Sequence, residues 1–426
     1  MREMKDSGVQ WIGEIPKTWS VSKVGMFYEV VLGKMLQSEK NAKTDIYADY
    51  LCAANVGNNT LKLDCLNQLW FSEKDCKQYE IQTGDLIVVE GGDVASSAIV
   101  QIPIKNLYIQ NALHRVRSKN GCLLEYLRYN LMMAKTQGYI SLVCNKATIA
   151  HFTKDKFVQL PLLVLPISEQ QNIVDYLNYK CTQVDTLVSN VQAQIEKLKA
   201  YKQSLITEIV TKGLDPTAPM KDSGIEWVGE IPAHWEVKRG KVLFVESDAR
   251  SADGSEELLT VSQYTGITPR SQKNVNMFEA LTLEGYKICD VGDIAANTMW
   301  LWAGAIGVSA YSGVISPSYN VYRQKAENFV PGYLDCLLRA PMLVQEYASR
   351  STGIRASRLR LYPKDFLNIM FPVPPFGEQQ EIMRVLSDKF AAVDKLIAIK
   401  ESKIEKLEQY KKSLIYEYVT GKREVM

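Results

Sequence analysis

Residues 4–19 read MKDSGVQWIGEIPKTW, and residues 220–235 read MKDSGIEWVGEIPAHW. Eleven of these sixteen positions are identical, and two more exchange valine with isoleucine. A second pair of matching segments opens with Glu-Gln-Gln at 169–171 and 378–380 and stays in step, without a gap, to Ser-Leu-Ile at 204–206 and 413–415. Self-similarity of this extent predicts a tandem duplication, in which each copy has a head followed by one of these later segments.

Each later segment is predicted to form one long coiled-coil helix. Its apolar residues recur every seven positions, with a second apolar position three or four residues away, which is the pattern of a coiled-coil seam. Proline precedes each segment and glycine follows it, at Pro166, Gly213, Pro375 and Gly421, and neither residue type lies within 169–212 or 378–420. At 1.5 Å per residue each helix would be roughly 65 Å long. The predicted seam residues are Leu177, Val184, Val191, Leu198 and Leu205 in the first helix and Leu386, Val393, Leu407 and Leu414 in the second.

Lys202 and Lys411 interrupt the seam at equivalent positions. A polar residue inside a seam is one way of fixing the register of paired helices. A lysine can equally extend its aliphatic chain past apolar neighbours and keep its ammonium group in water. Both interpretations remain open at the level of the sequence.

The duplication also predicts the architecture. The first helix leads from the first head to the second, and the second helix leads back, so the pair should be antiparallel and the two chain ends should lie close together. The predicted fold class is α+β, with two mixed α/β heads joined by two long antiparallel coiled-coil helices in a pseudo-twofold tandem repeat. The predicted domains are the first head with its N-terminal arm at 1–165, the central helix at 166–213, the second head with its arm at 214–374 and the C-terminal helix at 375–426. One helix is expected near the end of each head, at 123–137 and at 331–350.

The composition is that of a globular protein. Hydrophobic residues make up 46% of the chain and charged residues 23%, and the net charge of +2 neither requires nor excludes nucleic acid. No apolar run is long enough to cross a bilayer and no signal peptide is recognisable, which predicts a cytoplasmic protein. The eight cysteines form no C-x-x-C pair. We therefore expect buried free thiols, with neither a disulfide framework nor a metal site.

Two stretches near the ends of the heads contain basic residues and no acid, at 144–154 and at 349–360. Arginine forks and short hydroxyl side chains suit phosphate oxygens and guanine edges, so both stretches are candidates for DNA contact, although a solvated basic loop would have the same composition. The candidates are Lys146, Thr148, His151 and Lys154 in the first stretch, and Arg350, Thr352, Arg355, Ser357, Arg358 and Arg360 in the second. Two loops that follow equivalent predicted strands add Gly91, Gly92, Asn297 and Trp300, where the tryptophan could pack internally or wedge against bases.

The common catalytic motifs are absent from the sequence. It contains no phosphate-binding P-loop, dinucleotide-binding glycine turn, zinc-protease motif or nucleophile elbow. The three histidines, His114, His151 and His234, are scattered over both halves. We therefore expect a protein that is not an enzyme and that binds no cofactor itself.

The order of head, long helix opened by Glu-Gln-Gln, head and second such helix resembles the specificity subunits of type I restriction-modification systems. The resemblance covers essentially the whole chain and includes the W-x-G-E-I-P-x-x-W motifs at 11–19 and 227–235. It implies that 20–165 and 236–374 are target-recognition domains, each of which reads one half of a split site in double-stranded DNA. It also implies that the helices set the spacer and dock two modification subunits, which bind S-adenosylmethionine and methylate adenine, while motor-nuclease subunits use ATP and magnesium.

Two other functions remain compatible with the sequence. One is a specificity subunit of another restriction type, and the other is a coiled-coil scaffold whose heads bind proteins. Salt separates DNA binding from protein scaffolding, because phosphate contacts weaken steeply as the salt concentration rises.

Overall fold

The structure is a computed structural model that describes residues 2–144, 150–273, 282–353 and 359–425. The chain divides into two compact units. Unit 1 comprises Met1–Gln192 and Ser402–Met426, and unit 2 comprises Ala193–Glu401. Both are mixed α/β, as predicted.

Unit 1 contains the N-terminal arm and the first head. Its strands are β1 (Met4–Asp6), β2 (Glu14–Pro16), β3 (Ser20–Lys23), β4 (Tyr28–Leu32), β5 (Ile46–Leu51), β6 (Asn67–Phe71), β7 (Leu86–Val89), β8 (Ser97–Ile99), β9 (Leu107–Ile109), β10 (Leu113–Ser118) and β11 (Pro161–Val164). Its helices are α1 (Val24–Phe27), α2 (Glu73–Tyr79), α3 (Leu124–Thr136), α4 (Tyr139–Val143), α5 (Lys154–Val158) and the first part of α6 (Ile167–Lys212).

Unit 2 contains the second arm and head. Its strands are β12 (Met220–Asp222), β13 (Glu230–Pro232), β14 (Glu236–Arg239), β15 (Phe244–Ser247), β16 (Leu259–Ser262), β17 (Gly266–Pro269), β18 (Lys287–Cys289), β19 (Ile294–Ala296), β20 (Ile306–Val308), β21 (Gly313–Ile315), β22 (Asn320–Gln324) and β23 (Met370–Val373). Its helices are α7 (Gly240–Leu243), α8 (Pro331–Leu338), α9 (Pro341–Arg350), α10 (Pro363–Leu367) and the first part of α11 (Phe376–Val419), whose last part belongs to unit 1.

The two units repeat the same sheet topology. Each has a four-stranded antiparallel sheet, in the order β4-β10-β7-β8 in unit 1 and β15-β22-β19-β20 in unit 2. The repeated sixteen-residue sequences form equivalent hairpins, β1-β2 and β12-β13, and β11-β3 is matched by β14-β23. Unit 1 adds the three-stranded sheet β6-β5-β9, whereas unit 2 has the pairs β16-β17 and β18-β21. The heads therefore share a frame and differ in what is attached to it.

The predicted helix at 331–350 is wrong as a single helix. The structure breaks it into α8 and α9, which begin at Pro331 and Pro341. Proline has no N–H to donate and its ring clashes with the preceding turn, so Pro341 ends one helix and starts the next. The corresponding helix of unit 1 has no proline and runs unbroken from Leu124 to Thr136.

The two long helices begin and end close to the predicted residues. They start directly after Pro166 and Pro375, and the glycines that follow their ends, Gly213 and Gly421, have φ of 76° and 70°. Seven of the nine predicted seam residues are buried, whereas Leu198 and Leu407 are only half-buried. Neither leucine joins a hydrophobic cluster with a head among the described residues, but the buried Val184, Val191 and Val393 do not either, so contact with a head does not account for the difference. No helix of the described part of the chain is both long and apolar enough to cross a membrane.

Within unit 1, the parts of α6 and α11 run antiparallel. The Tyr418 hydroxyl donates to the Tyr176 hydroxyl at 3.1 Å. Further along α6, both carboxylate oxygens of Asp185 accept hydrogen bonds of 2.6 Å from Lys411, which precedes Tyr418 in α11. The partners thus occur in opposite order along the two helices.

Unit 2 contains the equivalent arrangement. Lys202 Nζ donates to both carboxylate oxygens of Asp394 at 2.7 and 2.8 Å, and it lies 4.7 Å from the centroid of the Phe390 ring. Lys400 Nζ donates to Gln194 Oε1 at 2.6 Å. Each seam lysine therefore bonds an aspartate of the other helix segment in its own unit, which favours the interpretation that these lysines fix the register.

The head of unit 1 is attached to its long helix through α3, which has two apolar faces. Leu127 and Leu131 pack into the core of the four-stranded sheet. Tyr129 and Met133 belong to a separate buried cluster that includes Leu177 of α6. Burial on both faces makes this helix the structural link between the head and the long helix.

The cysteine prediction is correct in part. All eight cysteines are free, and the described residues contain no cluster of side chains that could hold a metal ion. Cys144, Cys181 and Cys289 are buried, but Cys65 is exposed because it lies in an irregular segment before β6. The remaining four are half-buried.

Candidate nucleic-acid interface

The Glu-Gln-Gln motif ties the arm and the head of unit 1 to the start of α6. The Trp19 indole N–H donates to Glu169 Oε2 at 3.0 Å. The buried Gln170 accepts a hydrogen bond of 3.1 Å from the Leu123 N–H and donates one of 3.1 Å to the Leu165 carbonyl. Leu123 precedes α3, so the glutamine satisfies a backbone group at the start of the head helix that the helix itself leaves unpaired.

Unit 2 repeats this clamp. The Trp235 indole N–H donates to Glu378 Oε2 at 3.0 Å. Gln379 accepts from the Val330 N–H and donates to the Pro374 carbonyl, both at 2.9 Å. Sequence reasoning used this motif as a marker of the repeat and missed its role, which is to orient each head on its own helix.

In unit 1 the structure brings together three of the candidate contact residues. Gly91 follows β7 and pairs with His151 in a β-bridge, and the neighbouring Phe152 N–H donates to the Glu90 carbonyl at 2.8 Å. The His151 ring is exposed and its Nδ1 lies 3.0 Å from Glu90 Oε2. Gly92 has φ of 97° and leaves open space where a Cβ would be. This loop and the described end of the basic stretch thus form one surface.

The buried His114 side chain contacts the backbone under this surface. His114 Nε2 lies 2.7 Å from the Phe152 carbonyl oxygen, and burial lowers the pKa of the His114 side chain. A neutral ring that donates from Nε2 fits this contact. Lys154, the first residue of α5, is exposed beside it.

In unit 2 the two described ends of the basic stretch pair with each other. Thr352 and Arg360 exchange two backbone hydrogen bonds of 3.0 Å, and both side chains are exposed. Arg350 Nε donates to Glu346 Oε1 at 2.5 Å, one helical turn earlier, so part of its charge is neutralised within α9. The other candidates of the two basic stretches lie outside the described residues: Lys146, Thr148, Arg355, Ser357 and Arg358.

The two candidate residues of the loop after β19, Asn297 and Trp300, have different environments. Asn297 is buried, and its side-chain amide donates to the Tyr319 hydroxyl at 3.0 Å and accepts from the Met299 N–H at 3.2 Å. Its side chain therefore holds the loop from inside and does not reach the surface. Trp300 is exposed and stacks on Trp302 with 5.8 Å between ring centroids.

Other arginines of the heads are committed to structural turns. Arg117 donates to Asp85 at 2.6 and 2.8 Å, and Arg323 donates to Asp293 at 2.9 and 3.0 Å. These hydrogen bonds raise the pKa of both guanidinium groups. The glycine before each aspartate has φ of 91° and 88°, as expected for a turn that precedes a buried strand.

Comparison with known proteins agrees with this geometry. Residues 16–197 match the family described as the type I restriction modification DNA specificity domain. Two proteins of Methanocaldococcus jannaschii are similar along almost the whole chain. The chain is therefore similar to type I restriction-modification specificity subunits.

The putative MjaX specificity subunit is 24% identical to this chain over 96% of the chain and 95% of its own length. The MjaVIII specificity subunit is 22% identical over 96% and 93%. A chain in a solved structure concerned with complex assembly and conformational transition of the type I R-M system superposes with a TM-score of 0.66, at 15% identity over 95% of this chain and 98% of that chain. That last likeness shows the shared fold.

The similar proteins are named as specificity subunits of type I restriction enzymes, which is consistent with a sequence that lacks the common catalytic motifs. The candidate contact surfaces follow the same plan in each unit. A loop leaves the four-stranded sheet, and a basic stretch lies before the short helix α5 or α10. His151 and Arg360 occupy equivalent positions, because each lies three residues before the first residue of the short helix, Lys154 of α5 or Pro363 of α10.

Proposed function

We propose that this chain is a type I specificity subunit that reads a bipartite sequence in double-stranded DNA, with one half-site read by the head of each unit. The observation that carries the proposal is the repetition of one frame with different side chains on it. The sheet order, arm and glutamine clamp recur in both units. The surface loops carry Gly91 and His151 in unit 1 but Trp300 and Arg360 in unit 2. A frame of this kind presents two different surfaces to two different sequences.

We propose that the contacts with DNA are of two kinds, to phosphates and to base edges. Exposed basic groups such as Lys154 and Arg360 would bind phosphates and set the register, and the other loop side chains would meet base edges in the major groove. Arg355 and Arg358 stay predicted contacts on the basis of the sequence. Asn297 is proposed to position its loop, because its amide is used internally.

The long helices are proposed to form an antiparallel coiled coil that sets the spacer between the half-sites. The two lysine–aspartate pairs support this role, because each one locks a helix segment of one unit in a defined register. A one-residue slip would separate both lysines from their carboxylates.

The proposed protein partners are two modification subunits, one for each repeat, and motor-nuclease subunits. The support is a duplicated set of exposed apolar side chains on α6 and α11. Leu187 and Leu396 are equivalent and both 48% exposed, and Tyr201 and Tyr410 are equivalent and both 51% exposed. Aromatic residues left exposed on a rigid helix are typical of protein interfaces. S-adenosylmethionine, ATP and magnesium are assigned to these partners, and the complex is expected to act in the cytoplasm.

Native mass spectrometry of the co-purified complex tests the stoichiometry. We expect two modification subunits with the wild-type chain, one with either Tyr201→Ala or Tyr410→Ala, and none with the double variant. Tyr179→Ala is the matched control, because Tyr179 is 61% exposed on α6 but has an aspartate, Asp388, at the equivalent position. Loss of both partner copies from a single variant would contradict one docking surface per repeat.

DNA binding by the same complex, measured over a range of salt concentrations, tests the recognition function. Affinity should fall steeply with salt, and Arg360→Ala should weaken binding and reduce the salt slope by about 1, as expected when one phosphate contact is lost. Arg384→Ala is the control, because this exposed arginine pairs with Glu381 and Asp388 on α11. Binding that does not respond to salt would favour a protein scaffold instead.

A further inference from the structure

The loop between β19 and β20 is a rigid platform that presents two large apolar side chains to solvent. Trp300 is 49% exposed and Met299 is 42% exposed. Isolated exposed apolar side chains are common on proteins, but two adjacent ones on an ordered loop indicate a contact surface. The feature is therefore the pairing of exposure with rigidity.

The rigidity comes from hydrogen bonds within the loop. The Trp300 N–H donates to the Asn297 carbonyl at 2.9 Å, and the N–H groups of Ala303 and Ala305 donate to the Trp300 carbonyl at 3.0 and 3.1 Å. The Trp302 indole N–H donates to the Met299 carbonyl at 3.0 Å. The backbone on both sides of Trp300 is thus held before any partner arrives.

Trp302 supports the exposed indole directly. The two rings are stacked, with 5.8 Å between centroids and 26° between planes. Trp302 itself is half-buried. The Trp302 ring therefore limits how far the Trp300 ring can move when a ligand presses against it.

The position of the loop points to DNA as the molecule that covers it. Helix α9 packs against the Leu301–Ala303 turn, and an added Cβ on Gly304 would lie 3.1 Å from Val344 of that helix. The same helix ends at Arg350, where the basic stretch begins. The equivalent loop of unit 1 pairs directly with the basic stretch of its own head, through Gly91 and His151.

We propose that Trp300, together with Met299, wedges against a base-pair step in the half-site read by unit 2, with Trp302 as its support. This inference rests on the proposed DNA-reading function. The loop of unit 1 carries Gly91 and Gly92 in place of large side chains, so it lets the backbone approach DNA without unstacking it. The distortion of the DNA is therefore confined to one half-site.

A wedge of this kind adds sequence preference without a hydrogen bond to a base. Apolar side chains inserted between base pairs unstack and kink the duplex, and pyrimidine–purine steps deform most easily. The half-site of unit 2 should therefore contain a TA or CA/TG step at the position of the wedge. A rigid A-tract there should weaken binding.

The experiment uses the full chain with its modification subunits and a cognate duplex in which 2-aminopurine replaces adenines one at a time. Adenines that are themselves methylated are excluded, because methyltransferases flip their target base. The wild-type complex should raise 2-aminopurine fluorescence at one step of the unit 2 half-site and at none in the other half. Trp300→Ala should abolish this signal and weaken binding about tenfold, whereas Trp300→Phe should retain most of both. Tyr311→Ala is the control, because Tyr311 is 36% exposed and follows β20, whereas the loop precedes this strand.

Tight, sequence-specific binding by Trp300→Ala with the fluorescence signal intact would overturn the wedge and leave the recognition function standing. Loss of the modification subunits from Trp300→Ala, with DNA binding otherwise preserved, would overturn it in favour of a protein contact. Absence of specific DNA binding by the wild-type complex would overturn the proposed function itself. Equal melting temperatures of the variants exclude misfolding as the cause.

Discussion

Replacing Gly421 with alanine is expected to release the N-terminal arm from the end of α11. Gly421 has φ of 70°, a conformation that costs little only for glycine. A Cβ there would lie 2.6 Å from Cγ of Pro16 and 2.8 Å from Cη2 of Trp19, which are far closer than van der Waals contact. Both neighbours are ring atoms of the packed arm, so neither moves without displacing it.

The expected loss of stability is the sum of two effects. A left-handed conformation costs a non-glycine residue about 1–2 kcal/mol, and an added methyl group in a well-packed site costs about 1–3 kcal/mol. A loss of about 2–5 kcal/mol in a unit of this size should lower its Tm by on the order of 10 °C. Gly213→Ala should cost less, because its Cβ would lie 3.3 Å from Trp235 and 3.6 Å from Pro232, and only the Glu378 carboxylate oxygen, at 2.9 Å, would be closer.

Differential scanning calorimetry of the full chain measures these differences. Gly377→Ala is the control, because this glycine has nothing within 4 Å of its missing Cβ and lies in α11, where alanine is favoured. The expected order of Tm is Gly377→Ala, then Gly213→Ala, then Gly421→Ala. If Gly421→Ala melts together with Gly377→Ala, the arm does not pack on the helix end and the reasoning is refuted.

Three further outcomes are expected. Lys411→Asp should lower the Tm by a few degrees, because an exposed ion pair is worth about 0.2–1 kcal/mol and two like charges repel each other. Adding Asp185→Lys should restore most of the lost Tm. If calorimetry finds the double variant no more stable than the single one, the pair does not lock the register. Leu407→Asp should lower the Tm further than Leu407→Ala, because it puts a charge into the seam. Equal Tm values for the two variants in thermal melts would show that residue 407 does not pack in the seam. Iodoacetamide at pH 8 should label the exposed Cys65 in the native protein but spare Cys289, whose pKa burial raises to about 12, and mass spectrometry that finds both labelled would contradict that burial.

The long helices were predictable because their signals are local. Proline before each helix, glycine after it and the seven-residue apolar pattern place their ends within two residues of those observed. The break between α8 and α9 had an equally local signal in Pro341, which the prediction of one helix at 331–350 overlooked. Leu198 and Leu407 occupy equivalent positions and are both half-buried, a difference from the other seam residues that the heptad pattern does not contain.

The candidate interface was predictable only as a set of segments. The sequence placed Gly91 and His151 in the same site, and the structure joins them by a β-bridge. It did not show that Asn297 points inward, because that depends on Tyr319, which lies on a different part of the chain. The pairing of Arg350 with Glu346 has the four-residue spacing of helix ion pairs and could have been anticipated.

Selection from a randomised duplex library tests the central claim most directly. The chain, co-purified with its modification subunits, is incubated with the library, and the retained DNA is sequenced. Two short conserved blocks separated by a gap of constant length are the predicted result, because two different heads read two half-sites at a set spacing. A single continuous motif, or no enrichment by a folded complex, would contradict the account.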